Sequence, residues 1–136
     1  MRPGLFMVGG LLWATVAQAA DWPQWRGPDR TGTVPAGTLV PTNLPAMPKV
    51  VWRLNIGGGF SSPVVAGGKL VYLDAQEGQE TAHLLDASTG RELWRQEAHR
   101  GLPSNRLHVK NTYASETPVT DGERVYAYFG NVGLFC

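Results

Sequence analysis

The amino-acid sequence predicts an all-β fold, and three features carry that prediction. Glycine and proline are abundant, 17 and 10 among 136 residues, without a collagen-like period, which implies many tight turns. Short β-branched and aromatic runs alternate with Gly-, Asp- and Ser-rich stretches of turn composition. No window of helical length carries an apolar period of 3.6 residues.

Residues 1–19 read as a signal peptide. Arg2 supplies a positive start, residues 5–16 an apolar stretch, and Ala17-Gln18-Ala19 the small-x-small pattern of a cleavage site. The apolar stretch is too short to cross about 30 Å of hydrocarbon as a helix, so no transmembrane anchor is expected. No cysteine follows the cleavage site to take a lipid. The expectation is an exported protein, periplasmic or secreted. Residues 20–48 are expected to form an N-terminal arm, with Trp22 and Trp25 packed against the body. Residues 49–136 form the repeat region.

Within that region, residues 49–56 (KVVWRLNI) predict a strand that stops at Gly57-Gly58-Gly59. Residues 63–65 and 69–73 predict two strands around the hairpin turn Ala66-Gly67-Gly68. Residues 83–86 and 91–95 predict two more, flanking Ala87-Ser88-Thr89-Gly90. Asp86 is suited to bond forward to the turn amides, and Gly90 to take a positive φ at its exit.

The chain also repeats itself. SPVVAGGKLVY at 62–72 overlays TPVTDGERVYA at 117–127, with Pro63 on Pro118 at an offset of 55 residues. Trp52 and Trp94 mark strand ends 42 residues apart. Such spacings are those of propeller blades, each a four-stranded sheet. One blade runs from about Gly59 to Ala98; a second begins near Ala114 and reaches a third strand at residues 133–136. A propeller closes with about 4–8 blades. The expectation is an incomplete β-propeller of four-stranded antiparallel blades, about one and a half of them, at the N-terminal end of a longer protein.

Residues 84–94 (LLDASTGRELW) resemble the A-x-D-x-x-T-G-x-x-x-W repeat of quinoprotein dehydrogenases and their relatives, with Leu84 at the usual alanine. Residues 21–28 (DWPQWRGP) and 110–119 (KNTYASETPV) look like secreted PQQ-binding-like propeller proteins. The resemblance implies that Trp94 docks against a neighbouring blade while Asp86, Thr89 and Gly90 build the turn. It also makes pyrroloquinoline quinone (PQQ) and Ca²⁺ the cofactors to consider. No Cys-Cys pair is present, and no carboxylate matches the family's metal or catalytic set.

Charge and composition exclude several classes. Twelve Lys+Arg against 11 Asp+Glu, with 17% charged residues, supply no basic nucleic-acid-binding face and no acidic tail. Cys136 is the one cysteine, so a disulfide framework or multi-cysteine zinc site is excluded. His83, His99 and His108 lack ligand spacing and read as ordinary surface or turn histidines. Gly57-Gly58-Gly59 is followed by no G-K-[ST], and Ser61, Ser62 and Ser115 lie in no G-x-S-x-G elbow. No catalytic residue and no metal ligand is assigned.

The loop after the first blade carries Arg100, Arg106 and Lys110 against Glu97. Arg106 and Lys110, with the amide of Asn111, are candidates to bind an anion such as a polycarboxylate quinone or an acidic glycan. The functional expectation is an exported, non-catalytic binding or scaffold module for a small-molecule, glycan or protein ligand. The alternative is a PQQ-dependent alcohol or sugar dehydrogenase whose catalytic residues lie beyond residue 136. A third candidate, the outer-membrane-assembly lipoprotein, is disfavoured by the missing lipid-attachment cysteine.

Overall fold

The computed structural model of the chain describes residues 20–98, 112–130 and 132–136. The expected signal peptide, residues 1–19, lies outside the described residues. Those described form seven strands and no helix: β1 Val64–Ala66, β2 Lys69–Gln76, β3 Gln79–Asp86, β4 Glu92–Glu97, β5 Val119–Thr120, β6 Val125–Phe129 and β7 Gly133–Phe135. They make two antiparallel sheets, a four-stranded β1-β2-β3-β4 and a three-stranded β5-β6-β7. Consecutive strands are neighbours throughout, the meander of a propeller blade. The fold is an incomplete β-propeller, one full blade followed by three strands of the next.

Turn chemistry sets the register of the first blade. Ala66 pairs with Lys69 across Gly67-Gly68, at φ +56° and +72°. Gln76 pairs with Gln79 across Glu77-Gly78, at φ +51° and +80°. Two consecutive left-handed residues give a hairpin turn whose twist matches that of the strands, and glycine takes that conformation without a Cβ clash. In the second sheet Asp121 does the same work through its side chain, accepting the Glu123 and Arg124 amides at 2.9 and 2.6 Å.

Alternation then sorts the side chains. Leu73 and Ala82, a register pair, bury on one face of the first sheet and join Ala127 and Phe129 of the second, with Ala98 and Ala114. Val64, Val71 and Leu84 form a second cluster against Val125. Apolar contact between two sheet faces is what holds one blade to the next. The N-terminal arm straps both blades at their first strands. Trp22 exchanges backbone bonds with Val65 at 2.7 and 2.9 Å, and Pro23 O accepts the Thr120 amide at 2.9 Å.

Two expectations are corrected. Residues 49–56 form no strand. The segment has β-composition, but it lies outside both ladders, and a strand exists only where its N–H and C=O groups find a neighbouring one. Trp25 does not pack the arm: it is 58% exposed, with the Arg26 guanidinium 5.4 Å from its ring centre. Trp22 is the arm's packed tryptophan, its ring lying against Gly27, where an added Cβ would come within 2.8 Å.

Candidate functional site

Three polar constellations stand out, and each is built by the strand order. The first is the β3–β4 turn. Asp86 Oδ1 accepts the Ser88 amide and hydroxyl at 3.0 and 2.6 Å, and the Thr89 amide and hydroxyl both at 2.9 Å. Donation first from the Ser88 hydroxyl and then from Thr89 favours the ionised form and holds the Asp86 carboxyl at about 2. Gly90 leaves the turn at φ +71° and donates to Asp86 O at 2.8 Å. The turn is built as the sequence predicts. The sequence did not reveal its cover: Trp52 Nε1 donates to Ala87 O at 3.0 Å, and its indole lies so close to Gly90 that a Cβ there would sit 2.6 Å from the ring. Trp94, its repeat partner, lines the cleft between the sheets with Glu123, Arg124 and Val125, in a cavity of about 670 Å³.

The second constellation lies on the face of the first sheet that looks away from the second. His83 of β3 has Asp74 Oδ1 at 3.0 Å from Nε2 and Glu92 Oε1 at 2.7 Å from Nδ1. Tyr72, the register partner of His83, stacks on its ring at 4.5 Å and 5°. Asp74 is 3% exposed, and its Oδ2 accepts the Gly57 amide at 2.7 Å. A carboxylate oxygen thus faces each ring nitrogen of His83. Burial, and then the charges of Asp74 and Glu92, push the Tyr72 hydroxyl up to about 12. A small cavity of about 140 Å³ opens beside the cluster, lined by Asp74, Thr81, His83 and Arg95 among others.

His83 is therefore not the surface histidine expected from the sequence. It is buried, with both ring nitrogens occupied. The signal that could have found it is the Glu77-Gly78 turn, which fixes the β2–β3 register and sets His83 opposite Tyr72, two pairs along from Asp74 on the same face. With neither nitrogen free, the ring is placed to hold strands together rather than to take a proton from a substrate or bind a metal. Among the described residues no group of His, Cys, Asp and Glu is arranged to hold a metal ion.

The third constellation joins the blades at the other end of the strands. Buried Glu80 accepts the Ala114 amide at 2.6 Å through Oε1, and Ala114 O accepts the Phe60 and Ser61 amides at 3.2 and 3.0 Å. Burial pushes the Glu80 carboxyl up from its ordinary value, against the lowering effect of the Ala114 amide. Ser62 N donates to Thr117 Oγ1 at 3.2 Å, and the Ser115 hydroxyl to Thr112 O at 2.6 Å. The three serines bond no histidine, so no nucleophile–base pair forms among the described residues. The anion-binding candidates Arg106, Lys110 and Asn111 lie outside the described residues, as do His99, Arg100 and His108.

No curated protein and no solved structure matches the chain. A family model described as outer membrane protein assembly factor BamB matches residues 44–134, more than half of the chain. That span takes in Trp52, the D-x-x-T-G turn and both sheets. The chain belongs to this family of PQQ-like β-propeller repeats.

Proposed function

We propose that this is an exported PQQ-like repeat protein acting as a non-catalytic binding or scaffold module. The observation that carries the reading is the use made of the polar residues. Asp86 closes a turn, Glu80 ties one blade to the next, and both nitrogens of His83 are spent on Asp74 and Glu92. A catalytic residue needs a free atom aimed at a substrate, and these groups are consumed by the fold. The family's description as an assembly factor supports a scaffold role. Export rests on the leader-like pattern of residues 1–19. No helix among the described residues is long and apolar enough to cross a membrane.

The test is direct. The purified protein is expected to show no quinone absorption and no Ca²⁺-dependent dye reduction with alcohols or sugars. Either signal overturns the reading in favour of a PQQ-dependent dehydrogenase. The ligand side of the proposal rests on Arg106, Lys110 and Asn111, whose charges and amide suit an anion. The double change Arg106→Ala and Lys110→Ala should weaken binding of an acidic glycan, and unchanged affinity refutes that assignment.

A further inference from the structure

Beyond Pro23 the N-terminal arm turns back on itself. Its root is held at both blades: Asp21 Oδ1 accepts the Gly67 amide at 3.0 Å, and Trp22 and Pro23 bond to Val65 and Thr120. Residues 24–32 (QWRGPDRTG) then close a loop through their own backbone. Gly27 N donates to Gln24 O at 3.0 Å, Arg30 N to Gly27 O at 3.1 Å and Gly32 N to Arg26 O at 2.9 Å. The side chains lock it further. Gln24 Nε2 donates to Pro28 O at 2.8 Å, Arg26 Nη2 to Thr31 O at 3.0 Å and Arg30 Nε to Gln24 Oε1 at 3.1 Å. Every one of these bonds lies within residues 24–32, so the shape of the loop is set locally.

Arg26 and Arg30 both hold a left-handed backbone, at φ +63° and +57°, a conformation that residues with a Cβ rarely take. Such strain persists where the surrounding bonds over-determine it, and it clusters where side chains meet a ligand. Both arginines are exposed, as is Trp25. Each guanidinium uses one N–H on the loop itself and keeps its other donors. Among the described residues neither is ion-paired with a carboxylate. The Arg26 guanidinium stands over the Trp25 indole, 5.4 Å from its centre. An exposed aromatic face and two exposed cationic forks thus share a loop whose geometry is fixed before any ligand arrives.

We propose that this loop is a binding platform for an acidic glycan, a polysaccharide carrying carboxylates. The Trp25 indole stacks on a sugar ring, and Arg26 and Arg30 pair with the uronate groups. The apolar C–H face of a pyranose fits a flat aromatic ring, and a guanidinium grips a carboxylate through two parallel bonds. A small anion would need a concave pocket to bury most of its surface. An exposed loop suits a polymer, which gathers affinity over repeated contacts. Nucleic acid is disfavoured by the charge balance, 12 Lys+Arg against 11 Asp+Glu, which supplies no extended basic face. The inference deepens the binding-module reading above and rests on it, but it places the glycan on residues independent of Arg106, Lys110 and Asn111.

Affinity electrophoresis of the intact chain in gels containing polygalacturonate tests the proposal, with dextran and polyglutamate as comparison polymers. Retardation is expected from polygalacturonate and from neither of the others. Trp25→Ala keeps every bond of the loop and should raise the dissociation constant about tenfold with the salt dependence unchanged. Trp25→Tyr should restore most of the affinity. Arg26→Gln combined with Arg30→Gln should weaken binding and flatten its salt dependence. Equal retardation by polyglutamate, or undiminished retardation of Trp25→Ala, overturns the proposal in favour of charge alone, and a parent chain that polygalacturonate does not retard overturns it outright. Loss of binding in the Arg106→Ala and Lys110→Ala variant alone refutes the platform and leaves the reading above standing. Quinone absorption or Ca²⁺-dependent dye reduction refutes that reading whether or not the loop binds.

Discussion

Replacing Gly90 by alanine tests the contact between Trp52 and the β3–β4 turn. Gly90 sits at φ +71°, and Gly68 at φ +72° with nothing near its Cβ position. An L-residue in the left-handed region costs roughly 1–2 kcal/mol, so Gly68→Ala should lower stability by that amount alone. At Gly90 the new methyl meets the Trp52 ring at 2.6 Å, a distance no relaxed contact tolerates. The indole must move, losing its hydrogen bond to Ala87 O at 3.0 Å, about 1 kcal/mol, together with a similar amount of apolar contact. Gly90→Ala should therefore cost roughly 3–4 kcal/mol. In a Trp52→Ala background the clash is gone, and the same substitution should cost about as much as Gly68→Ala. Urea unfolding of the four corners of the cycle gives the coupling directly, expected at about 2 kcal/mol. If Gly90→Ala costs the same with and without Trp52, the indole does not brace the turn.

Three further outcomes follow from the same contacts. Leu85 is 1% exposed, and Leu85→Ala should cost about 2–5 kcal/mol by urea unfolding. Asp86 has a folded-state value, about 2, below its ordinary 3.8, so its contribution is present above pH 4 and is lost as pH falls toward 2. The difference in urea midpoint between the parent chain and Asp86→Asn should shrink across that window, and a constant difference refutes the assignment. Glu80 is shifted the other way, up from 4.5, so the folded chain binds the extra proton and stability falls as pH rises through the window above 4.5. Glu80→Gln keeps the acceptor for Ala114 and should gain on the parent chain at pH 7 relative to pH 4, which the same midpoints measure.

What the sequence made legible was local. The Gly67-Gly68 hairpin and the Asp86 turn are decided within five or six residues, by φ preference and by a carboxylate reaching its own amides. The repeat was legible as well, because corresponding positions carry the same residue types. The state of residues 49–56 was not, since composition specifies a strand but only a second strand can form it. The His83 cluster was hidden for a related reason. Asp74, His83 and Glu92 come from three strands, and none of the three carries a spacing signature until the register brings them together.

The two blades also show why that cluster takes the form it does. Counting by register, Phe129 and Phe135 of the second sheet hold the positions of Asp74 and His83 in the first. The phenylalanines meet edge to face at 5.6 Å, and Phe129 buries against the first blade. The same pair of positions is thus an apolar packing surface in one blade and a hydrogen-bonded polar one in the other. Charges can occupy a packing position only when they are paired, because an unpaired buried carboxylate costs several kcal/mol. His83 between Asp74 and Glu92 meets that requirement within a single sheet, and Gly57 takes the remaining Asp74 oxygen. The first blade can therefore present this face to a neighbour of modest polarity without leaving a ring nitrogen of His83 or an oxygen of the buried Asp74 unpartnered, whereas the second blade depends on an apolar neighbour for the same surface.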